Sequence, residues 1–110
     1  MQIIRGDTSK FKFQRLDANG DPILIPASRL YFTVKRKATD SAFILQKTIE
    51  DFTFDGEGYY HFVIDPADTD AMEFGDYVFD LEVITDEYKQ TIAIGSFIVG
   101  KEVTHAGNEG

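Results

Sequence analysis

The sequence predicts an all-β sandwich, and three observations carry that prediction. Segment after segment alternates apolar and polar residues with a period of two, the mark of half-buried strands. Turn residues recur roughly every 8 to 12 positions. A polar corner from Asp70 to Asp76 then leads into a strand with Tyr77, Phe79, Leu81 and Val83 on one face and Val78, Asp80, Glu82 and Ile84 on the other. An aromatic placed two residues before the central buried position, just after an Asp-rich corner, is how an immunoglobulin-like sandwich passes from one sheet to the other. The expected architecture is an immunoglobulin-like β-sandwich of about seven or eight antiparallel strands with one short helical turn. It is expected to span residues 1–104, with 105–110 as a flexible tail.

Along the chain, Gln2 to Arg5 reads as a short first strand and Arg5-Gly6-Asp7-Thr8 as a turn. Lys10 to Leu16 alternates, with Phe11 and Phe13 opposite Lys10, Lys12 and Gln14. Asn19-Gly20 allows positive φ and Pro22 stops pairing, which makes Asp17 to Pro22 the strongest turn signal. A short apolar run, Ile23 to Ile25, closes at Pro26. Arg29 to Lys37 is the next strand, with Leu30, Phe32 and Val34 on one face. Ala42 to Ile49 follows, where Phe43, Leu45 and Ile49 share a face with Lys47. Phe52 to Phe54 enters a Gly-rich hairpin loop, Asp55-Gly56-Glu57-Gly58, and Tyr59 to Ile64 leaves it as a strand. Asp65-Pro66 opens a helical turn, because Asp suits the N-cap and Pro tolerates the first helical position. After a tight turn at Thr85 to Glu87, Tyr88 to Val99 is long for one strand. Its phase switches, with Ile92 and Ile94 on one face and Phe97 and Val99 off it, so Gly95 is the expected bulge. Lys101 to Thr104 is expected to extend the pairing.

At 110 residues the chain suits one domain with a two-layer core. Ten Phe, five Tyr and no Trp weight the core toward strand-forming aromatics. With no Cys there is neither a disulfide nor a thiolate metal site. Apolar side chains must fill the positions that bridge the sheets in disulfide-bonded relatives of the fold, and Phe79 is the candidate for one. A net charge of -8 argues against nucleic acid as a main partner, since phosphate contacts need a basic surface. No stretch approaches the roughly 20 apolar residues of a membrane span, and Met1 to Arg5 does not open an export signal.

Signals for catalysis are weak. The two histidines, His61 in a strand and His105 in the tail, have no positioning neighbours evident in sequence, which a general base needs. Asp65, Asp68 and Asp70, and likewise Asp51, Asp55 and Glu57, gather around turns; their spacing does not match a calcium-binding loop, and capping is the expected role. Arg5-Gly6-Asp7 spells an adhesive tripeptide, but Gly-Asp has a ready structural role in the turn. Exposed Tyr31, Tyr59 and Tyr88 could stack on sugars, so a carbohydrate-binding or cell-surface-binding module is the alternative to an assembly module.

Several stretches have a familiar order. Ile4-Arg5-Gly6-Asp7-Thr8 opens the chain, and Asn19-Gly20-Asp21-Pro22-Ile23 makes the long turn. Leu30 to Lys35 and Gly58 to Thr69 follow, then Gly75 to Val83 and Gly95 to Val99. The chain resembles, over residues 2–104, the N-terminal domain of upper baseplate proteins from tailed phages of Gram-positive bacteria. That resemblance implies a non-enzymatic, cofactor-free virion module that is assembled in the bacterial cytoplasm. It implies contacts with other virion proteins, homo-oligomerisation, and neither nucleic acid nor membrane as a partner. The candidate contact residues are Lys35, Arg36 and Lys37, the loop residues Asp55, Gly56, Glu57 and Gly58, and Lys101.

Overall fold

The computed structural model describes residues 1–101. Eight strands, β1 (Gln2–Ile4), β2 (Ser9–Gln14), β3 (Arg29–Lys35), β4 (Leu45–Thr48), β5 (Thr53–Phe54), β6 (Tyr59–Ile64), β7 (Gly75–Ile84) and β8 (Lys89–Gly100), form two sheets. The larger has the order β1-β8-β7-β3-β4 and the smaller β2-β6-β5. All pairings are antiparallel except β1 on β8, where Gln2, Ile3 and Ile4 run alongside Ile98, Val99 and Gly100. A 3-10 turn (Ile49–Asp51) and a one-turn helix α1 (Pro66–Thr69) complete the regular structure among the described residues. β8 ends at Gly100, so the expected extension of pairing is not formed at Lys101; its continuation over 102–104 and the tail from His105 lie outside the described residues.

The alternation read from the sequence sets the inner faces. Leu30, Phe32 and Val34 of β3, Tyr60, Phe62 and Ile64 of β6, and Tyr77, Leu81 and Val83 of β7 are all buried. The aromatics interlock across the two sheets. Cross-strand partners Phe11 and Phe62 stack at 5.4 Å, and Phe13 and Tyr60 at 4.9 Å. Phe32, from the larger sheet, meets Phe62 at 4.9 Å and Phe79 at 5.6 Å. Such aromatic contacts contribute about 0.5–1.5 kcal/mol each beyond the area they bury. Phe79 belongs to the larger sheet, like Phe32, and is half-buried against this core.

Two corners behave as their residues dictate. Asp17 Oδ1 accepts from the backbone N–H groups of Asn19 and Asp21, at 2.9 and 3.0 Å, and Gly20 takes φ +85°. At the helical turn, Asp68 Oδ2 accepts from the Asp65 N–H at 2.7 Å and from Lys47 Nζ at 2.7 Å. The Arg-Gly-Asp tripeptide is tied into the fold. Gly6 has φ +85° and its N–H donates to Thr69 Oγ1, while Arg5 donates to the Met72 carbonyl and lies over the Phe74 ring.

Three expectations change. The register between β7 and β8 shifts after Leu81, whose partner is Ala93, while that of Glu82 is Thr91. The bulge therefore sits at Ile92, not at Gly95, which pairs regularly with Phe79. An extra residue at Ile92 turns both Ile92 and Ala93 toward the core and leaves Ile94 outside, 75% exposed. Gly95 instead makes room for a ring. A Cβ there would come within 3.2 Å of the Phe79 side chain, which covers the glycine. Finally, Phe43 does not share the buried face of Leu45 and Lys47. It lies ahead of β4 and is exposed.

Candidate functional site: an open sheet edge beside an apolar groove

The parallel pairing of β1 covers only the C-terminal end of β8. From Lys89 to Gly95 the outer edge of β8 faces no strand among the described residues. An edge of this kind presents unpaired backbone donors and acceptors. Residues 90–100 of the strand carry no charge, and they contain no Pro.

Beside this edge the side of the sandwich is open. A groove of about 390 Å³ runs between the end of β2 and β8, walled by Phe13, Leu16, Ile23, Leu81, Ile92 and Ala93. The Ile92 bulge helps to shape it, since two successive residues of β8 turn the same way. A second furrow of about 310 Å³, bordered by Ile25, Pro26, Asp86 and Glu87, shares Arg15, Ile23 and Tyr88 with the first.

Arg15 is the unexpected member. It follows Phe11 and Phe13 in the same phase, so the pleat carries it inward, and it is 8% exposed. Its Nη2 donates to the Ile25 carbonyl at 2.8 Å and, more weakly, to the Tyr60 hydroxyl at 3.4 Å. Its Nε is buried without a partner, and no carboxylate pairs with it among the described residues. The Tyr60 hydroxyl also accepts from the Ala27 N–H at 2.9 Å, which pins the Ile23–Ala27 segment over this end of the core. Nothing in the residue type of Arg15 marks it as buried. The two-residue period that places Phe11 and Phe13 inside is the signal for it.

The residues singled out from sequence fall at two poles. Lys35, Arg36 and Lys37 lie at the C-terminal end of β3, opposite the start of β7, and Lys101 follows β8 at that same end. Lys35 Nζ donates to the Asp40 carbonyl, Arg36 reaches Glu73 at 3.7 Å and covers the Tyr77 ring, and Lys37 is exposed. Asp55, Gly56, Glu57 and Gly58 form the β5–β6 loop at the opposite end. There Asp55 accepts from the N–H groups of Glu57 and Tyr59, at 2.9 and 3.0 Å, and lies 2.8 Å from His61 Nε2. The His61 contact, helped by those N–H groups, holds the Asp55 carboxyl below its ordinary value. His61 therefore has a positioning neighbour after all, supplied by the hairpin; His105 lies outside the described residues. Gly58 is constrained by φ +91° and by Pro22, Ile23 and Leu24 packed against it.

The three tyrosines do not meet. Tyr31 is on β3 in the larger sheet, Tyr59 on β6 in the smaller, under Lys12, and Tyr88 in the β7–β8 turn. Among the described residues, no three His, Cys, Asp or Glu side chains gather as metal ligands, and no helix is long and apolar enough to cross a membrane.

Neither a protein-family model nor a curated protein matches the sequence. Among solved structures, an endo-β-1,4-mannanase from Thermotoga petrophila is similar, with a TM-score of 0.60 and 16% identity. The likeness covers 92% of this chain but 17% of the mannanase chain. At that identity it speaks to the fold alone.

Proposed function

We propose that this chain is a non-enzymatic assembly module of a phage or prophage virion, in the tail or baseplate, joined to a neighbouring protein by strand addition. One observation carries the reading: the edge of β8 from Gln90 to Gly95, uncharged and without a partner strand among the described residues, set beside an apolar groove. Strand addition draws affinity from the backbone ladder and specificity from pockets that take alternate side chains. The bulge at Ile92 fits a selective edge, because a bulge twists the strand away from indiscriminate stacking.

Within this reading the fold is an immunoglobulin-like sandwich. The sheet order supports it, as does the Tyr77 hydroxyl, which donates to the Glu73 carbonyl at 2.8 Å in the manner of a tyrosine corner. The virion setting is supported by the resemblance of residues 2–104 to baseplate domains. The opposed poles, Lys35–Lys37 with Lys101 against the acidic Asp55–Gly58 loop, suit contacts between copies of the chain.

The test is mass spectrometry of purified particles from cells that carry the gene. The chain is expected in particles at a fixed ratio to the major tail protein. Its absence from intact particles would overturn the virion reading.

A second reading has one observation in its favour. The outer face of the larger sheet holds a polar furrow of about 340 Å³ with Tyr31 and Phe43 beside Lys35, Gln46, Asp80 and Glu82. Aromatic rings next to amides and carboxylates suit a glycan. A glycan array decides it: binding abolished by Tyr31→Ala would favour this face, and no binding would remove it.

A further inference from the structure

We infer that the β8 edge and its groove accept an extended strand of a partner protein that presents a carboxylate to Arg15. This site rests on the assembly reading and specifies the partner's chemistry.

Three features converge on one side of the sandwich. The open edge from Lys89 to Gly95 offers a backbone ladder. The groove supplies apolar walls at Phe13, Leu16, Ile23 and Ile92, where every second side chain of an added strand would point inward. Arg15 supplies a cation in the same groove that has no carboxylate partner among the described residues; its Nε is buried and unpartnered, and the Tyr60 ring lies 6.0 Å from its guanidinium carbon.

The third feature identifies the occupant. A buried guanidinium without a counter-charge is costly, and proteins normally pair it. This chain has nineteen Asp and Glu against eleven Lys and Arg, yet none of its described carboxylates pairs with Arg15. Fixing the Ile25 carbonyl requires only a neutral donor, so that bond does not account for a full positive charge at this depth. A planar fork with free donors matches a carboxylate. Charge complementarity therefore favours a strand with one Asp or Glu among alternating apolar residues. It disfavours a second copy of β8, which has no acidic residue to offer.

The probe is an array of nine-residue, end-capped peptides in which Val alternates with Thr and one position in turn is Glu, Gln or Lys. Binding to the isotope-labelled chain is followed by amide and Arg15 Nε–H chemical shifts. The expected footprint covers Gln90 to Ile94 and the Arg15 Nε–H. The best Glu peptide is expected to bind roughly tenfold or more tightly than its Gln twin, the step a charge-assisted hydrogen bond provides. Methylating its backbone nitrogens on the ladder side should abolish binding. Arg15→Gln should erase the Glu preference; if that variant does not fold, the twin peptides on the native chain still decide. Equal binding of Glu and Gln peptides, a footprint elsewhere, no binding up to millimolar peptide, or concentration-dependent pairing of the chain through β8 would each overturn the inference. Presence in particles without peptide binding would sink this site alone. Peptide binding by a chain absent from particles would sink the virion reading alone.

Discussion

Removing a single oxygen from the buried end of the core should cost more than removing the equivalent oxygen from the sheet corner. Tyr60 is 1% exposed, and its hydroxyl is the acceptor for the Ala27 N–H, itself on a buried residue. Tyr60→Phe keeps the ring and its stack on Phe13 but leaves that N–H with no acceptor and takes one of the two Arg15 contacts. An unsatisfied buried donor costs roughly 1–3 kcal/mol, so about 2 kcal/mol is expected. Tyr77→Phe removes a bond of similar length, 2.8 Å, but its acceptor is the carbonyl of exposed Glu73, which water can satisfy. About 1 kcal/mol is expected there. In urea, with a slope of about 1–3 kcal/mol/M, Tyr60→Phe should lower the midpoint by roughly 1 M and Tyr77→Phe by about half as much. Equilibrium unfolding followed by fluorescence and circular dichroism measures both. A Tyr60→Phe midpoint no lower than that of Tyr77→Phe, at unchanged slope, would refute the reasoning.

Asp68→Asn should destabilise by about 3 kcal/mol, because it strands the nearly buried Lys47 ammonium, while adding Lys47→Met should restore most of the loss; a double variant no more stable than the single would contradict this. Gly58→Ala should cost about 1–2 kcal/mol in the same assay, since φ +91° and the Ile23 carbonyl 3.3 Å from the added Cβ both oppose a side chain. Asp55, with its folded pKa depressed by the His61 contact, contributes stability that is present above the ordinary carboxylate value of about 3.9 and is lost as pH falls through the lower folded value. Carboxyl NMR titration should place its midpoint below that value and shift it upward in His61→Ala; no upward shift would remove His61 as the cause.

Period-two reasoning reads the inner faces of β3, β6 and β7 correctly, because one face of each is wholly apolar. The Asp65-Pro66 turn is equally legible, since its chemistry is local. What fails is non-local or hidden by residue type. The bulge at Ile92 is fixed by how β8 registers on β7, and Gly95 draws attention only as the nearest glycine. The parallel seat of β1 on β8 has no local signature in three residues. Arg15 and Lys47 occupy inward phases, but a cation in an alternating strand reads as solvated until its surroundings are known. The candidate site lies where three of these misses meet, the Ile92 bulge, the short seat of β1 and Arg15, which is why the sequence points to loops instead.

The seat of β1 also governs the order of folding. Its three residues pair with residues 98–100, so this contact spans nearly the whole described chain. Closing so long a loop carries a large entropic cost, and non-local contacts of this kind form late. A nascent chain can pair β3 with β4, and β5 with β6, long before β8 is synthesised. Until then β1, with Ile3 that ends 3% exposed in the core, has no strand to pair with. A partner strand that reaches β8 first would meet an edge open along its full length, so synthesis and assembly compete for the same row of backbone groups.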